Sequence, residues 1–213
     1  MFKSILFYFI IFVSLFFLVY FGLNAKSYSV KLRYSYDTNV KKETIPSNLP
    51  AVHKTENNEV VNMPDSIIIP KIRVSAPIIW QINFNDINSR LNERVIHFNG
   101  TALPNQEGDT VLTGHSSAYP WQKTNYGQVF ALLDNLAPGD QIYIIYQKKK
   151  YVYRVKEKKI INAEESEIIN KKEARLTLIT CWPVGTSLRR LVVQVDQIKT
   201  ESPLNNLLLP NVW

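Results

Sequence analysis

The stretch RLTLITC, residues 175–181, has the composition of a short buried β-strand. Trp182-Pro183 follows it directly. Proline cannot donate to a sheet ladder, so the strand is expected to end at this point. The thiol of Cys181 should therefore emerge at the rim of a sheet and not in the middle of a core.

Six other segments between residues 65 and 199 are equally short, rich in Ile, Val and Tyr, and separated by turn residues. They are SIIIPKI (66–72), APIIWQI (76–82), TVLTG (110–114), QIYIIY (141–146), YVYRV (151–155) and LVVQV (191–195). Two short helices are also predicted, at Tyr126–Leu136 and at Ile87–Val95. Seven or eight short strands in about 135 residues predict an all-β domain, either a closed barrel or a sandwich.

The composition excludes several classes of protein. A chain of 213 residues allows one domain with appendages, and 46% hydrophobic residues are too many for a disordered chain. The single cysteine excludes an internal disulfide and a cysteine-rich zinc site. The net charge of +7 is spread along the chain without a recognition motif, so no nucleic-acid partner is predicted.

Residues 5–23, ILFYFIIFVSLFFLVYFGL, carry no charge and only Ser14 as a polar interruption. As a helix they would reach about 30 Å, the hydrocarbon thickness of a bilayer. The alternative is a cleaved secretory signal, which would have a shorter apolar region ending in small residues. Leu23-Asn24-Ala25 is a poor cleavage site, so an uncleaved membrane anchor is predicted.

The remaining segments flank this anchor and the β-domain. Residues 1–4 form a short N-terminus, 24–64 a polar, irregular stem, 65–199 the folded domain and 200–213 a tail too short to cross a membrane. Lys26, Lys31 and Arg33 outnumber the single Lys3 before the span. Charge alone would thus keep the C-terminal side in the cytoplasm, although long domains can translocate regardless of charge.

Candidate catalytic residues lie at strand ends. A Cys nucleophile needs an imidazole and an oxyanion donor, which His115 and one of Arg189 and Arg190 could supply. Cys181 could instead be a small buried hydrophobe, His115 a surface residue at a turn, and the arginine a solvated charge at a strand edge. Of the other histidines, His53 lies in the stem, and His97, between Ile96 and Phe98, is expected to be packed and hydrogen-bonded.

Four segments together resemble the sortase family. LTLITC (176–181) is similar to the strand that ends in the sortase nucleophile, and TGH (113–115) to the strand-end histidine. GTALP (100–104) with EGD (107–109) resembles the segment before that strand. CWPVG (181–185) through RLVV (190–193) resembles the last loop and strand.

The resemblance implies an eight-stranded β-barrel and a membrane-anchored cysteine transpeptidase whose catalytic domain lies outside the cell membrane. In that family pattern Cys181 is the nucleophile, His115 the general acid and base, and Arg190, preferred over Arg189, the oxyanion stabiliser. Thr180 is expected to line the substrate pocket. The implied partners are secreted proteins with a Leu-Pro-x-Thr-Gly-like sorting signal and an amine acceptor such as a cell-wall peptide.

One feature limits the resemblance, and no cofactor is predicted. Residues 41–64 contain no Asp-aromatic lid pair, which disfavours a pilin polymerase. Calcium binding by Glu107, Asp109, Glu164, Glu165 and Glu167 is conceivable, but solvated acids are commoner. The alternatives are another exported Cys/His peptidase, which lacks support because no papain-type segment is present, and a membrane-tethered β-domain that binds peptide or wall polymer without catalysis.

Overall fold

The computed structural model describes residues 2–39, 64–104, 106–164 and 175–198. Its eight strands are β1 (Ser66–Ile69), β2 (Val74–Ile82), β3 (Val95–Phe98), β4 (Asp109–Thr113), β5 (Gln141–Tyr146), β6 (Lys149–Asn162), β7 (Arg175–Trp182) and β8 (Arg189–Ile198). They form a closed barrel in the order β1-β2-β3-β4-β7-β8-β6-β5, with β5 pairing back to β1. The predicted eight-stranded barrel is thereby confirmed.

Two strand pairs are parallel, β2 with β3 and β4 with β7, and all other neighbours are antiparallel. Parallel strands end at the same edge of a sheet. The carboxyl ends of β4 and β7, the start of β8 and the turn between β1 and β2 therefore lie at one end of the barrel. The hairpin tip between β5 and β6 lies at the other end.

Alternate residues of β7 and β8 face the barrel interior. Leu176 and Leu178 of β7 and Leu191 and Val193 of β8 belong to the hydrophobic core. Side chains along a strand alternate between its two faces. The odd-numbered positions of β7, including Cys181, therefore point to the outer face of the barrel wall.

Two predicted helices differ from the structure. The four-residue helix α2 ends at Arg90, and Val95, predicted as the end of a helix, opens β3 instead. Tyr126–Leu136 forms turns and a single 3-10 segment, Leu133–Asn135. All four residues 130–133 are buried there, whereas a surface helix could bury only one face, so tertiary packing overrides the helical pattern.

The N-terminal helix α1 runs over Phe2–Asn39. It is the one helix in the described part of the chain that is long and apolar enough to cross a membrane. The prediction of an irregular stem from residue 24 differs from this structure, because residues 24–39 continue the helix. Residues 40–63 and 199–213 lie outside the described residues, so the rest of the stem and the tail stay predictions.

Residues 24–37 of α1 dock across the barrel end where β4 and β7 finish. A Cβ placed on Gly185, in the β7–β8 loop, would lie 2.5 Å from Oδ1 of Asn24. Lys31 forms an ion pair of 2.7 Å with Asp134, and its Nζ lies 5.1 Å from the ring centroid of Trp182. These contacts hold the helix to the barrel over its first turns beyond the apolar segment.

The far end of the docked segment is held at the turn between β1 and β2. Nη1 of Arg73 lies 2.9 Å from Oδ2 of Asp37. Val30 and Tyr34 pack against the core between these two ends. The docked segment covers thirteen steps of helix, which corresponds to about 20 Å.

Candidate active site

Cys181 and Arg190 are direct cross-strand neighbours. The antiparallel register of β7 and β8 pairs Cys181 with Arg190 and Thr180 with Leu191. Directly opposed residues project from the same face of a sheet. Because Leu191 belongs to the core, Cys181 and Arg190 lie on the outer face. Arg189 pairs with Trp182 on the other face and is exposed.

The parallel pairing of β4 with β7 brings the strand end before His115 beside the strand that carries Cys181. Thr113 pairs with Ile179, and the amide of Gly114 donates to the carbonyl of Ile179 at 3.3 Å. His115 follows the end of β4 by two residues, as Cys181 follows Ile179 in β7. The structure therefore pairs Cys181 with Arg190 and sets the strand end before His115 beside β7, while the catalytic roles of the three residues stay predictions.

Thr180 points to the opposite face and stabilises the backbone next to His115. It is 2% exposed, and its hydroxyl donates to the carbonyl of Gly114 at 2.8 Å. The hydroxyl of Thr113 adds a bond of 3.1 Å to the carbonyl of Ile179. The substrate contact predicted for Thr180 stays a prediction, because in this structure its hydroxyl serves the backbone next to His115.

Gly114 is required by close packing. A Cβ at this position would lie 2.8 Å from both Cδ2 of Phe130 and Cγ1 of Val129, closer than side chains tolerate. The chain then turns back, and the amide of Phe130 donates to the carbonyl of His115 at 2.9 Å. The loop after β4 thus holds the backbone of His115 from both sides.

Burial sets the protonation state of His115. Burial lowers the pKa of His115 from its ordinary value of 6.5, since no ionic partner stabilises the charged ring. The imidazole is consequently neutral at pH 7. Nε2 is buried and has no hydrogen-bond partner among the described residues, which leaves it able to take up or release a proton.

Arg190 is half-buried and partly engaged. Its Nη1 donates to the carbonyl of Ser187 at 2.9 Å and to that of Arg189 at 3.1 Å. These bonds turn the guanidinium towards the β7–β8 loop. Within the described part of the chain they are the hydrogen bonds found for this side chain, so Nε and Nη2 remain as donors for a substrate oxygen.

His97 is packed and hydrogen-bonded, as the sequence predicts for it. It is fully buried in β3, Nδ1 accepts from the amide of Gln81 at 3.2 Å, and Nε2 lies 3.0 Å from the carbonyl of Ala102. Burial lowers its pKa, and the bond to Ala102 opposes that shift in part. Both ring nitrogens serve the fold, so His97 is a structural residue.

No group of three or more His, Cys, Asp or Glu that could hold a metal occurs among the described residues. Of the acids considered for calcium, Glu165 and Glu167 lie outside them. Asp109 is buried in the barrel wall, where its Oδ2 accepts from the hydroxyl of Thr177 at 2.8 Å. The prediction that no cofactor is needed stays a prediction.

The match to a protein family decides the identity of this fold. The model of the sortase domain matches residues 67–198, which is more than half of the chain and contains all eight strands except the first residue of β1. The chain belongs to the sortase family. The family implies cysteine transpeptidase activity, and together with the apolar part of α1 it supports anchoring in a membrane. No curated protein matches this sortase.

Solved structures of sortases are similar over most of the chain. Sortase C1 from Streptococcus suis is 26% identical, with a TM-score of 0.55 over 67% of this chain and 76% of that one. Sortase C-1 from Actinomyces oris is 27% identical, with a TM-score of 0.55 over 82% and 99% of the two chains. Sortase C1 from Streptococcus agalactiae is 25% identical, with a TM-score of 0.56 over 80% and 84%. The sequence has no Asp-aromatic lid pair in residues 41–64. Except for Pro64, this segment lies outside the described residues.

Sequence reasoning missed the contacts of α1 with the active-site end of the barrel. Lys31 lies against Trp182, the residue next to Cys181, and Asn24 lies against Gly185. The available signal was the spacing of Asn24, Ser27, Lys31 and Tyr34 at helical intervals. Hydrophobic periodicity does not detect this stripe, because its residues are mostly polar.

We predict that replacing Thr180 by Val lowers both stability and turnover. The change keeps the shape of the side chain but removes the bond to Gly114, which should cost about 1 kcal/mol in the free energy of unfolding. The backbone next to His115 loses its support at the same time, so kcat should fall. Urea unfolding and peptide-cleavage assays measure the two effects.

Thr186→Val is the matched control, since the Thr186 hydroxyl bonds the carbonyl of Pro183 at an exposed position. It should change the free energy of unfolding by less than about 0.5 kcal/mol. Equal losses for the two variants would contradict a special role for Thr180.

We also predict that acidification destabilises the protein through its buried histidines. The folded-state pKa values of His97 and His115 lie below 6.5. Above pH 6.5 both states are neutral at these rings. Below it, the unfolded chain binds protons that the folded barrel resists, so the free energy of unfolding falls towards the lower folded pKa values.

His115→Gln should make that decline shallower while leaving the part due to His97. Urea unfolding as a function of pH, on both sides of pH 6.5, measures the slope. Parallel pH profiles for the wild type and the variant would show that His115 titrates alike in both states, contrary to the expectation.

Proposed function

We propose that this sortase cleaves a Leu-Pro-x-Thr-Gly-like sorting signal and transfers the protein that bears it to an amine acceptor. The observation that supports the proposal is the register of three strands: β8 pairs Arg190 with Cys181, and β4, which ends two residues before His115, runs parallel to β7 on its other side. A nucleophile, a neutral base and an oxyanion donor are the groups that acyl transfer requires.

In the first half-reaction, Sγ of Cys181 attacks the carbonyl carbon of the Thr-Gly peptide bond. The neutral imidazole of His115 takes the thiol proton and delivers it to the leaving glycine amine. The C–N bond breaks, and the threonine carbonyl remains on Cys181 as a thioester.

In the second half-reaction, an incoming amine replaces the thiolate. His115 removes a proton from the attacking amine, and the proton returns to the departing sulfur of Cys181. The acceptor that we propose is an amino group of a cell-wall peptide. Glycine oligomers are suitable probes because each supplies a free amino group and has no side chains.

Arg190 is proposed to hold the negative oxygen that develops in both steps. A guanidinium bears a permanent charge and a planar set of donors, which suits an oxyanion or a substrate carbonyl. The bonds of Nη1 to Ser187 and Arg189 pre-orient the group. Arg189, exposed on the other face, has no such access.

We propose that the barrel lies on the extracytoplasmic side and that residues 5–23 cross the membrane once. The substrates are then secreted proteins, and residues 1–4 face the cytoplasm. This orientation opposes the charge difference between Lys3 and the residues after the span. We favour it because sortases act on proteins at the cell surface.

The full-length protein with a sorting-signal peptide should form a thioester on Cys181, detected by mass spectrometry, and should release the glycine-containing fragment. With added triglycine the product should be the transpeptidated peptide. Cys181→Ala should abolish both. Arg190→Ala should lower kcat about 10²- to 10³-fold, as the loss of an oxyanion donor does elsewhere.

Arg189→Ala is the matched control, because it removes an equal charge from the adjacent residue on the opposite face. Its kcat should stay near that of the wild type. If the wild type cleaves no member of a randomised sorting-signal library and Cys181 resists alkylation, the chain is a tethered binding domain and the proposal fails.

A further inference from the structure

Two loops that leave the catalytic strands meet at one exposed surface. Residues 116–122 follow His115, and residues 183–188 join Cys181 to Arg190; the amide of Gly185 donates to the hydroxyl of Ser117 at 3.2 Å. Together they expose three large side chains, which we call the rim surface: Tyr119 at 54%, Trp121 at 66% and Leu188 at 73% exposure. The rings of Tyr119 and Trp121 stack with centroids 4.7 Å apart.

The rim surface lies next to the point where α1 leaves its apolar segment. Asn24, which packs against Gly185, is the first residue after the uncharged span 5–23. If that span fills the hydrocarbon core, Asn24 and the loops beside it lie at the level of the lipid headgroups.

The docking of α1 fixes the position of the rim surface relative to the bilayer. The same helix is bound to the barrel at Lys31–Asp134 and again at Asp37–Arg73, with distances of 2.7 Å and 2.9 Å. The barrel therefore cannot move away from the bilayer as a body on a loose tether while these contacts persist. Its catalytic end stays beside the membrane surface.

The chemistry of the surrounding residues fits a membrane interface. Trp and Tyr are enriched at the level of the headgroups, where an apolar ring and a polar tip are both accommodated. Segments 24–36, 116–125 and 183–190 contain no Asp or Glu. Four exposed cations lie on these segments: Lys26, Arg33, Lys123 and Arg189. Such a surface attracts anionic headgroups.

We propose that the rim surface inserts into the headgroup region of an anionic phospholipid bilayer and holds the Cys181 site at the membrane surface. The proposal rests on insertion of residues 5–23 and not on the chemistry of Cys181. It also holds for whichever side of the membrane carries the barrel. The catalytic groove would accordingly receive its peptide within the interfacial layer.

Spin labels on the full-length protein test this proposal. Single cysteines at Trp121→Cys and Leu188→Cys, each in a Cys181→Ala background, are labelled in nanodiscs of phosphatidylcholine and phosphatidylglycerol that hold one protein each. Lys148→Cys is the control, at the exposed hairpin tip on the opposite end of the barrel. The ratio of collisions with oxygen to collisions with a water-soluble nickel complex reports contact with lipid.

We expect a severalfold higher ratio at positions 121 and 188 than at position 148, and a smaller contrast in discs of phosphatidylcholine alone. Ratios equal to that of the control would overturn the proposal. A high ratio found only when discs carry two proteins would assign the surface to a second copy and would also overturn it. An equal contrast in both lipids would contradict the proposed binding to anionic headgroups.

Folding and catalysis are measured separately. All three labelled positions are exposed, so the thermal unfolding of each variant should match that of Cys181→Ala, and a variant that does not match is replaced by Tyr119→Cys. Because Cys181 is absent, lipid contact can fail while peptide cleavage by the wild type succeeds, and the reverse.

Discussion

The parallel pairing of β4 with β7 is the constraint on which the active site depends. A strand places successive side chains on opposite faces, so a slip of one residue between these strands would turn the side chains of β4 that now share a face with Cys181 to the opposite face. Side-chain bonds at both ends of the pair prevent it. The hydroxyl of Thr177 bonds the buried carboxylate of Asp109 at one end, at 2.8 Å, and Thr180 bonds the carbonyl of Gly114 at the other, also at 2.8 Å.

The need for one register explains why β7 carries buried threonines. Thr177 is fully buried and Thr180 is 2% exposed, yet each hydroxyl is satisfied by a partner on β4 or just beyond it. Buried hydroxyls are costly unless they are hydrogen-bonded. Here the two hydrogen bonds offset the cost of burying the hydroxyls, and they favour one specific register of β4 against β7.

The sequence carried enough information for the strands and for the three candidate catalytic residues. Runs of Ile, Val and Tyr mark strands because such side chains pack well on a pleated surface, and Cys181 and His115 each follow such a run. Strand order could not be derived in this way. The contact of β4 with β7 spans a connection that contains β5 and β6, and local pattern gives no information on pairing over that distance.

The elements that sequence reasoning missed share a different cause. β3 has four residues, too few for an alternation to be recognised, and residues 130–133 are buried on all sides, which removes the periodicity of a surface helix. The docked part of α1 presents Asn24, Ser27 and Lys31 to the barrel. Hydrophobic periodicity does not detect the polar part of a contact face, and the partners of these residues, such as Asp134 and Trp182, are distant in the chain.

That polar contact face has a physical consequence for an anchored enzyme. Charged side chains are costly in a hydrocarbon layer, so the ion pairs of Lys31 and Asp37 with the barrel require this part of the helix to lie outside it. The first of the described contacts with the barrel, at Asn24, directly follows the uncharged span 5–23. Since the same contact reaches the loop between Cys181 and Arg190, the end of the apolar span and the strand that carries the candidate nucleophile meet at one junction.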